Sequence, residues 1–360
     1  MLTIGILGGG QLARMLALAA YPLGLRTICL DPAIEASAAD VTPVIRADYT
    51  DETALRDFAE LVDVITVENE NLPVDQLTWL NTLRPVAPNS DAIAYAQDRL
   101  LEKKLFQELN IPTTEFYMVD RFEDLQQACV TLGFPAVLKT RRFGYDGKGQ
   151  YVIRTADDIA PAWESLKNHA LILESWVKFD REVSLIAVRD AQNQIKFYPL
   201  VENIHQAGIL HISRAPFVHA ELFQLAQGYL RHLLEKLNYI GVLTVEFFAC
   251  GETLIANEMA PRVHNSGHWT IEGAVTSQFA NHIRAVAGLP LGDTAARGYS
   301  AMLNCVGNEP DLAAVLEYPN AYYHRYNKTA KPQRKLAHIT VNTSTIEERE
   351  KQLTGLLKLL

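Results

Sequence analysis

Cysteine is scarce and scattered in this chain: Cys29, Cys129, Cys250 and Cys305 lie far apart, with no CxxC pair. That spacing excludes a dense disulfide framework and a zinc ribbon, and it predicts reduced, mostly buried thiols in a cytoplasmic protein. No run of about 18 or more apolar residues occurs, so no membrane-spanning helix is expected. The apolar start of the chain lacks a basic leader, contains Gly8-Gly9-Gly10 and carries Arg14, which argues against a signal peptide. Basic charge is in deficit as well, 33 Lys and Arg against 42 Asp and Glu, a net charge of −9. Such a balance does not attract nucleic acid, so an anionic substrate must be held by local basic clusters. Internal repeats and low-complexity segments are absent.

What is present is a long chain of ordinary globular composition. At 360 residues and 48% hydrophobic, it predicts two or three domains. Residues 1–110 alternate strand and helix patterns (strands 2–7, 26–30 and 62–67; helices 11–23 and 50–61), which predicts a Rossmann-like parallel sheet with crossover helices. A helix over 90–109 then runs to Ile111-Pro112, a natural break. Residues 111–177 read as a small α+β unit with strands at 116–119, 136–139, 150–154 and 171–174 and a glycine-rich loop at 141–149. Residues 178–360 read as a larger α+β region with strands within 182–214 and a helix over 219–237. It continues with a hairpin near 242–257 and a final lobe from 299 onward.

The densest chemistry lies in Asn257-Glu258-Met259-Ala260-Pro261-Arg262-Val263-His264-Asn265-Ser266-Gly267-His268-Trp269. So many polar groups are costly to bury without partners. If 242–248 and 253–257 form one hairpin, alternation sets Glu258, Ala260 and Arg262 on one face, with Glu246 joining from the neighbouring strand. Two carboxylates and an arginine suit a magnesium–phosphate site. A surface ladder of ion pairs is the plainer alternative.

The other motifs are weaker singly. Gly8-Gly9-Gly10-Gln11-Leu12-Ala13 follows a strand and opens a helix, and Asp31 closes the next strand. This fits a dinucleotide fingerprint, so an NAD-dependent oxidoreductase is a competing reading, although any phosphate is attracted to such a loop. The loop from Gly144 to Gln150 is not a Walker A motif; it reads as a mobile flap with Lys148, or as an ordinary hairpin turn. Lys139, inward on its strand, is expected to pair with an anion, here a nucleotide phosphate. Glu174-Ser175-Trp176-Val177 and Glu182 form a hinge able to meet an adenine and a ribose, or a pair of solvated acids. His205 reads as a structural histidine or a functional one. Arg99, Glu102 and Lys103 fit a solvated helix face. Lys328, Lys331, Arg334 and Lys335 form a basic cluster that is either a surface loop or a docking point for phosphate.

Taken in order, these elements resemble the ATP-grasp enzymes of purine biosynthesis, the 5-(carboxyamino)imidazole ribonucleotide synthase family, over almost the whole chain. Ala260 stands where the biotin-carboxylase and D-Ala-D-Ala-ligase branches carry Asn. The resemblance implies an ATP-grasp fold with an N-terminal Rossmann-like domain, a small flap-bearing subdomain and a larger C-terminal α+β domain. It implies ATP-dependent carboxylation of aminoimidazole ribonucleotide by bicarbonate through carboxyphosphate, in a homodimer. A sister ligase using formate is the nearest alternative. By the same resemblance ATP meets Arg99, Lys139, Gly144, Tyr145, Asp146, Gly147, Lys148, Gly149, Gln150, Glu174, Ser175, Trp176, Val177, Glu182, His205, Asn257 and Glu258. Magnesium falls to Glu246 and Glu258. Arg262, His264, Lys148 and Asp146 take the catalytic roles, with Tyr145, Asn265 and Ser266 toward the acceptor. Gly9, Gly10, Gln11, Leu12, Lys328, Arg334 and Lys335 receive the ribonucleotide phosphate.

Overall fold

Short apolar strands alternating with amphipathic helices wind the N-terminal part of the chain into a parallel sheet. Strands β1 (Thr3–Leu7), β2 (Arg26–Leu30), β3 (Val44–Ile45) and β4 (Val64–Val67) lie in the order β3-β2-β1-β4. β1 and β4 are almost wholly buried, as expected of strands covered on both faces. The helix Gln11–Ala20 lays Leu12, Ala13, Leu16 and Ala20 against this core. The structure is a computed structural model and describes residues 1–144 and 147–360.

The helix expected over 90–109 is two helices, Ser90–Gln97 and Arg99–Glu108. Asp98 breaks them, with an extended backbone (φ −124°, ψ 110°) and a carboxylate that accepts the Leu100 N–H at 2.9 Å. The same carboxylate receives Arg141 Nε at 3.0 Å and Nη2 at 2.6 Å. A cap and a forked ion pair to a remote residue thus outweigh the helical pattern. The break makes Arg99 the first residue of the second helix.

The second sheet is antiparallel: β5 (Phe116–Val119), β6 (Ala136–Thr140), β7 (Gln150–Ile153) and β8 (Leu171–Ser175), in the order β5-β8-β6-β7. The glycine loop joins β6 to β7 just beyond the Lys139–Gln150 pair. Gly147 (φ 76°) and Gly149 (φ 70°) adopt left-handed backbone that other residues avoid.

The third sheet has nine strands. They are β9 (Arg181–Arg189), β10 (Ile195–Phe197), β11 (Val201–Gln206), β12 (Ile209–Ala215), β13 (Gly241–Cys250), β14 (Thr253–Ala260), β15 (Tyr299–Val306), β16 (Ala321–Arg325) and β17 (Lys335–Thr343). The main path runs β14-β13-β9-β11-β12-β15-β17-β16, with β10 on β9. The helix Ala220–Lys236 buries Leu222, Leu230, Leu233 and Leu234 beside Leu243, Val245 and Phe247. Among the described residues no helix is long and apolar enough to cross a membrane.

The first and third sheets share a core that includes Ile4, Leu16, Ile186, Phe279 and Ile283. His282, wholly buried, stitches them. Its Nδ1 accepts the Val242 N–H at 3.1 Å, so Nε2 carries the proton and donates to Thr66 Oγ1 at 2.8 Å. Burial lowers its pKa from 6.5 to about 4. Below pH 6.5 the unfolded chain takes up a proton that the buried ring refuses, so this group's stabilisation is complete above pH 6.5 and falls as pH drops to 4. The expected loss is about 3 kcal/mol. His282→Gln, whose amide can both accept and donate, is expected to flatten that slope when denaturation is followed from pH 7 to 4. An unchanged slope would assign the acid sensitivity elsewhere.

Candidate active site

A cleft of about 1010 Å³ opens where the three sheets converge. Its carboxylate corner arises from a local irregularity. β13 and β14 pair Glu246 with Glu258 and then Phe247 with Ala256, so Asn257 is an extra residue. Such a bulge turns consecutive side chains toward one side, and Asn257 and Glu258 both line the cleft opposite Glu246. The strand runs to Ala260, three residues past the expected end. Arg99 Nη1 binds Glu258 Oε2 at 3.1 Å. Burial pushes Glu246 up to about 7, with His205 opposing and the Glu258 charge adding to the rise. Burial acts on Glu258 too, but Arg99, Lys139 and Arg262 hold it below the usual carboxylate range.

Next to this corner sits a buried ionic cluster. Lys139 Nζ donates to Glu174 Oε2 at 2.8 Å, and Lys103 Nζ lies 3.4 Å from the same oxygen. Burial opposes ionisation of Glu174, yet Lys103, Lys139 and Arg99 outweigh it and bring its pKa down to about 2. The solvated readings of Glu174, Glu102 and Lys103 are therefore wrong: their side chains are buried, Lys103 paired with Glu174 and Glu102 accepting the Met259 N–H at 2.6 Å. Glu182 Oε2 lies 2.7 Å from His205 Nδ1. Burial lowers the His205 pKa, but the Glu182 hydrogen bond and the Glu246 charge raise it overall to about 8. Phe179 and Phe248 stack at 4.8 Å beside the hinge residues Ser175, Trp176 and Val177 on the cleft wall.

Arg262 lies beyond β14, where its guanidinium forks onto Glu70, Nε to Oε2 at 2.5 Å and Nη2 to Oε1 at 3.2 Å. The expected alternation thus fails for Arg262, since the strand ends at Ala260 before Pro261. His264 Nδ1 accepts the Ser266 N–H at 3.3 Å, which leaves the proton on Nε2, 3.7 Å from Glu246 Oε1. Burial, then the charges of Arg262 and Lys335, hold this imidazole neutral. Ser266 does not reach the cleft wall. It is fully buried and braces His264 (Oγ to Nδ1 2.9 Å) while receiving Ser184 Oγ at 2.8 Å. Asn265 reaches the wall and exchanges amide hydrogen bonds with Asn304 at 3.1 and 2.6 Å.

At the N-terminal end the glycine loop meets acids. Gly9 N–H donates to Asp31 Oδ2 at 2.6 Å, and Gly10 and Ala13 N–H donate to Glu68 Oε2 at 2.6 and 2.9 Å. A Cβ on Gly9 would stand 3.0 Å from Asp31 Cβ, so the small residue admits the acid. Gly9 and Gly10 accordingly do not line the cleft, whereas Gln11 and Leu12 do. The dinucleotide reading fails here, because Asp31 is occupied by the N–H groups of Gly9 and Ala33, the latter at 2.6 Å. Lys328 bonds the Gln11 side-chain oxygen, and burial lowers its pKa to about 8 against the pull of Glu68. Arg334 and Lys335 line the same end of the cleft.

Gly144, Gly147, Lys148 and Gln150 of the flap line the cleft, as do Arg99, Lys139, Glu174, Glu182 and His205. Tyr145 and Asp146 lie outside the described residues. Glu68, Glu70, Phe179 and Phe248 are cleft residues that motif reading passed over. A usable signal existed for the first two: they follow a buried parallel strand at its carboxyl end, where open α/β sheets bind ligands.

Comparison with known proteins agrees with this geometry. Residues 1–97 match the ribonucleotide synthetase preATP-grasp domain, 104–279 the ATP-grasp domain, and 300–352 the phosphoribosylaminoimidazole carboxylase C-terminal domain. The N5-carboxyaminoimidazole ribonucleotide synthase of Pseudomonas aeruginosa is 48% identical over 358 residues, covering 99% of both chains. The chain belongs to that synthase family. It is an ATP-grasp ligase with the family's fold. The synthetase of Thermus thermophilus superposes with a TM-score of 0.95 at 50% identity, over 99% of this chain and 98% of that one. The Aspergillus clavatus synthase in complex with ADP and 5-aminoimidazole ribonucleotide gives 0.93 at 32% identity, over 99% and 98%. These relatives lend no support to the oxidoreductase or formate-ligase readings.

Proposed function

We propose that this cleft carboxylates 5-aminoimidazole ribonucleotide with bicarbonate at the expense of ATP, yielding N5-carboxyaminoimidazole ribonucleotide, ADP and phosphate in purine biosynthesis. The observation that carries the reading is the register pair Glu246–Glu258 at a bulge, flanked by Arg99 and Lys139 inside one cleft. Two facing carboxylates are the hard oxygen donors that magnesium takes, and a bound ion leaves its other positions to phosphate oxygens and water. Glu246 and Glu258 would hold that ion, which would neutralise charge on the triphosphate.

The chain's own groups do the rest. Phe179, Phe248 and the hinge 174–177 receive the adenine, while Glu182 and His205 meet the ribose. Lys139 and Arg99 exchange their carboxylate partners for phosphate oxygens, with Asn257 beside them and the flap glycines and Lys148 above. A bicarbonate oxygen attacks the γ-phosphorus, the bond to ADP breaks, and carboxyphosphate forms. The substrate amine then attacks its carbon, phosphate departs, and the amine loses a proton. Arg262 and Asn265 position the acid. The Nε2–H of neutral His264 donates to a developing oxyanion, which leaves the proton-accepting role to Asp146, and Tyr145 serves the acceptor. Gln11, Leu12, Lys328, Arg334 and Lys335 hold the ribonucleotide phosphate, and Lys328, already short of charge partners, gains most from it. Residues 1–110, 111–177 and 178–360 serve as acceptor, lid and catalytic units of a cytoplasmic homodimer.

The test measures ADP release and carboxylation together while aminoimidazole ribonucleotide, bicarbonate and formate are omitted in turn. Product that requires bicarbonate supports the reading; product that requires formate overturns it. In the same assay Lys148→Ala is expected to uncouple the steps, with ATP lost faster than substrate is carboxylated, because a weakened lid admits water to carboxyphosphate. One-for-one stoichiometry in that variant would rule out the lid role.

A further inference from the structure

One turn of helix grips the whole bulge. In Arg99–Glu108, residues 99, 102 and 103 share a face and meet residues 258, 259 and 257 in that order. Arg99 binds the Glu258 carboxylate, Glu102 Oε1 accepts the Met259 N–H at 2.6 Å, and Lys103 Nζ donates to the Asn257 carbonyl at 3.4 Å. Arg99 also touches the small unit, through its Nη2 and the Gly144 carbonyl at 3.4 Å, but of the three it is Lys103 that ion-pairs with the opposite wall. Its ammonium lies 3.4 Å from Glu174 Oε2 on β8 and 3.3 Å from Thr113 Oγ1.

A lysine whose side chain is wholly removed from solvent is rare and requires an anionic partner. Here that partner is Glu174, itself 2% exposed, with its other oxygen, Oε1, lacking any hydrogen bond. Two ammonium groups therefore share one carboxylate oxygen: Lys103 from below and Lys139 from the cleft side. Only Lys139 lines the cleft.

We propose that Lys103 is a positioning residue for the nucleotide: it fixes the Glu174 carboxylate and ties the hinge strand to the bulged carboxylate strand, so that Lys139 is free to turn to phosphate. With Lys103 in place, Glu174 stays compensated when Lys139 leaves it for ATP. Without Lys103, Lys139 is the one ion-pair partner left to Glu174 among the described residues, with Arg99 acting from farther off, and ATP must compete for that lysine against a buried anion. The cost therefore falls on ATP binding, not on the chemical step. This inference rests on ATP occupying the cleft as proposed above. Wild-type ATP turnover tests that reading separately, before any Lys103 variant is compared.

The experiment measures KM for ATP and kcat in Lys103→Met, Lys103→Arg, Glu174→Gln and the double variant Lys103→Met/Glu174→Gln, with folding followed by circular dichroism. Lys103→Met is expected to raise KM for ATP about tenfold or more while kcat changes less than about threefold. Lys103→Arg, which keeps the charge, is expected to recover most of the loss. In the Glu174→Gln background, the added Lys103→Met change is expected to shift KM by less than about threefold, since the anion it served is gone. A folded Lys103→Met enzyme with unchanged KM overturns the proposal. So does a double variant in which the two effects multiply. If Lys103→Met alone fails to fold, the comparison of Glu174→Gln with the double variant decides by the same criterion: the double variant removes both charges, and in Glu174→Gln the Lys103 ammonium keeps the Thr113 hydroxyl and the Asn257 carbonyl as acceptors.

Discussion

Glu258→Gln is expected to abolish ATP turnover, by about three orders of magnitude, while the protein stays folded. Glu258 borders the cleft with 41% of its side chain exposed, and its position is set by backbone pairing with Glu246 and by the Glu102 bond to the next amide. Gln preserves shape and hydrogen bonding but removes the negative charge that a divalent ion requires. Arg99 then loses its counter-ion, so the variant also presents excess positive charge to the triphosphate. Nucleotide binding is therefore expected to survive better than turnover. Circular dichroism, nucleotide titration and an ADP-release assay separate the three effects. Activity close to wild type would remove Glu258 from the metal assignment.

The second large effect is expected at the Arg262–Glu70 fork. Arg262→Met is expected to cut carboxylation by about two to three orders of magnitude, through loss of the guanidinium proposed to hold the acid during phosphoryl transfer. It also strands Glu70, a mostly buried carboxylate that Arg262 keeps below its ordinary pKa despite burial. Stranding of this kind costs about 3–5 kcal/mol. Arg262→Met/Glu70→Gln removes both charges and is expected to recover most of the lost melting temperature and none of the lost rate. Recovery of activity along with stability would reduce Arg262 to a structural tether between the first and third sheets.

The two predictions differ in how visible their residues were in sequence. Glu246 and Glu258 were legible because they sit on neighbouring strands of a local hairpin, where spacing and a tight connection set the pairing. The same alternation misplaced Arg262, since a bulge at Asn257 and the strand's end at Ala260 both shift the count. Lys139 was legible as a lysine that needed an anion, and the anion proved to be Glu174 across the adjacent strand pair. The N-terminal glycine loop was read as a dinucleotide fingerprint, or as an attraction for any phosphate. In the structure its Gly9 and Gly10 N–H groups donate to Asp31 and Glu68.

The amino-acid sequence by itself determined the order of elements, the parallel character of the first sheet, the hairpin acids and the glycine flap. All of these depend on periodicity and on contacts between near neighbours in the chain. Tertiary structure alone decided the partners of the charged side chains: Arg262 with Glu70, 192 residues away, Lys328 with the Gln11 amide oxygen, and Lys103 with Glu174. It also decided the helix break at Asp98, which a forked arginine from another sheet stabilises. A charged side chain has no periodicity of its own that names its partner. Its pairing follows from desolvation, which makes an unpartnered buried charge too costly and leaves the choice among distant candidates to the packing of the three sheets.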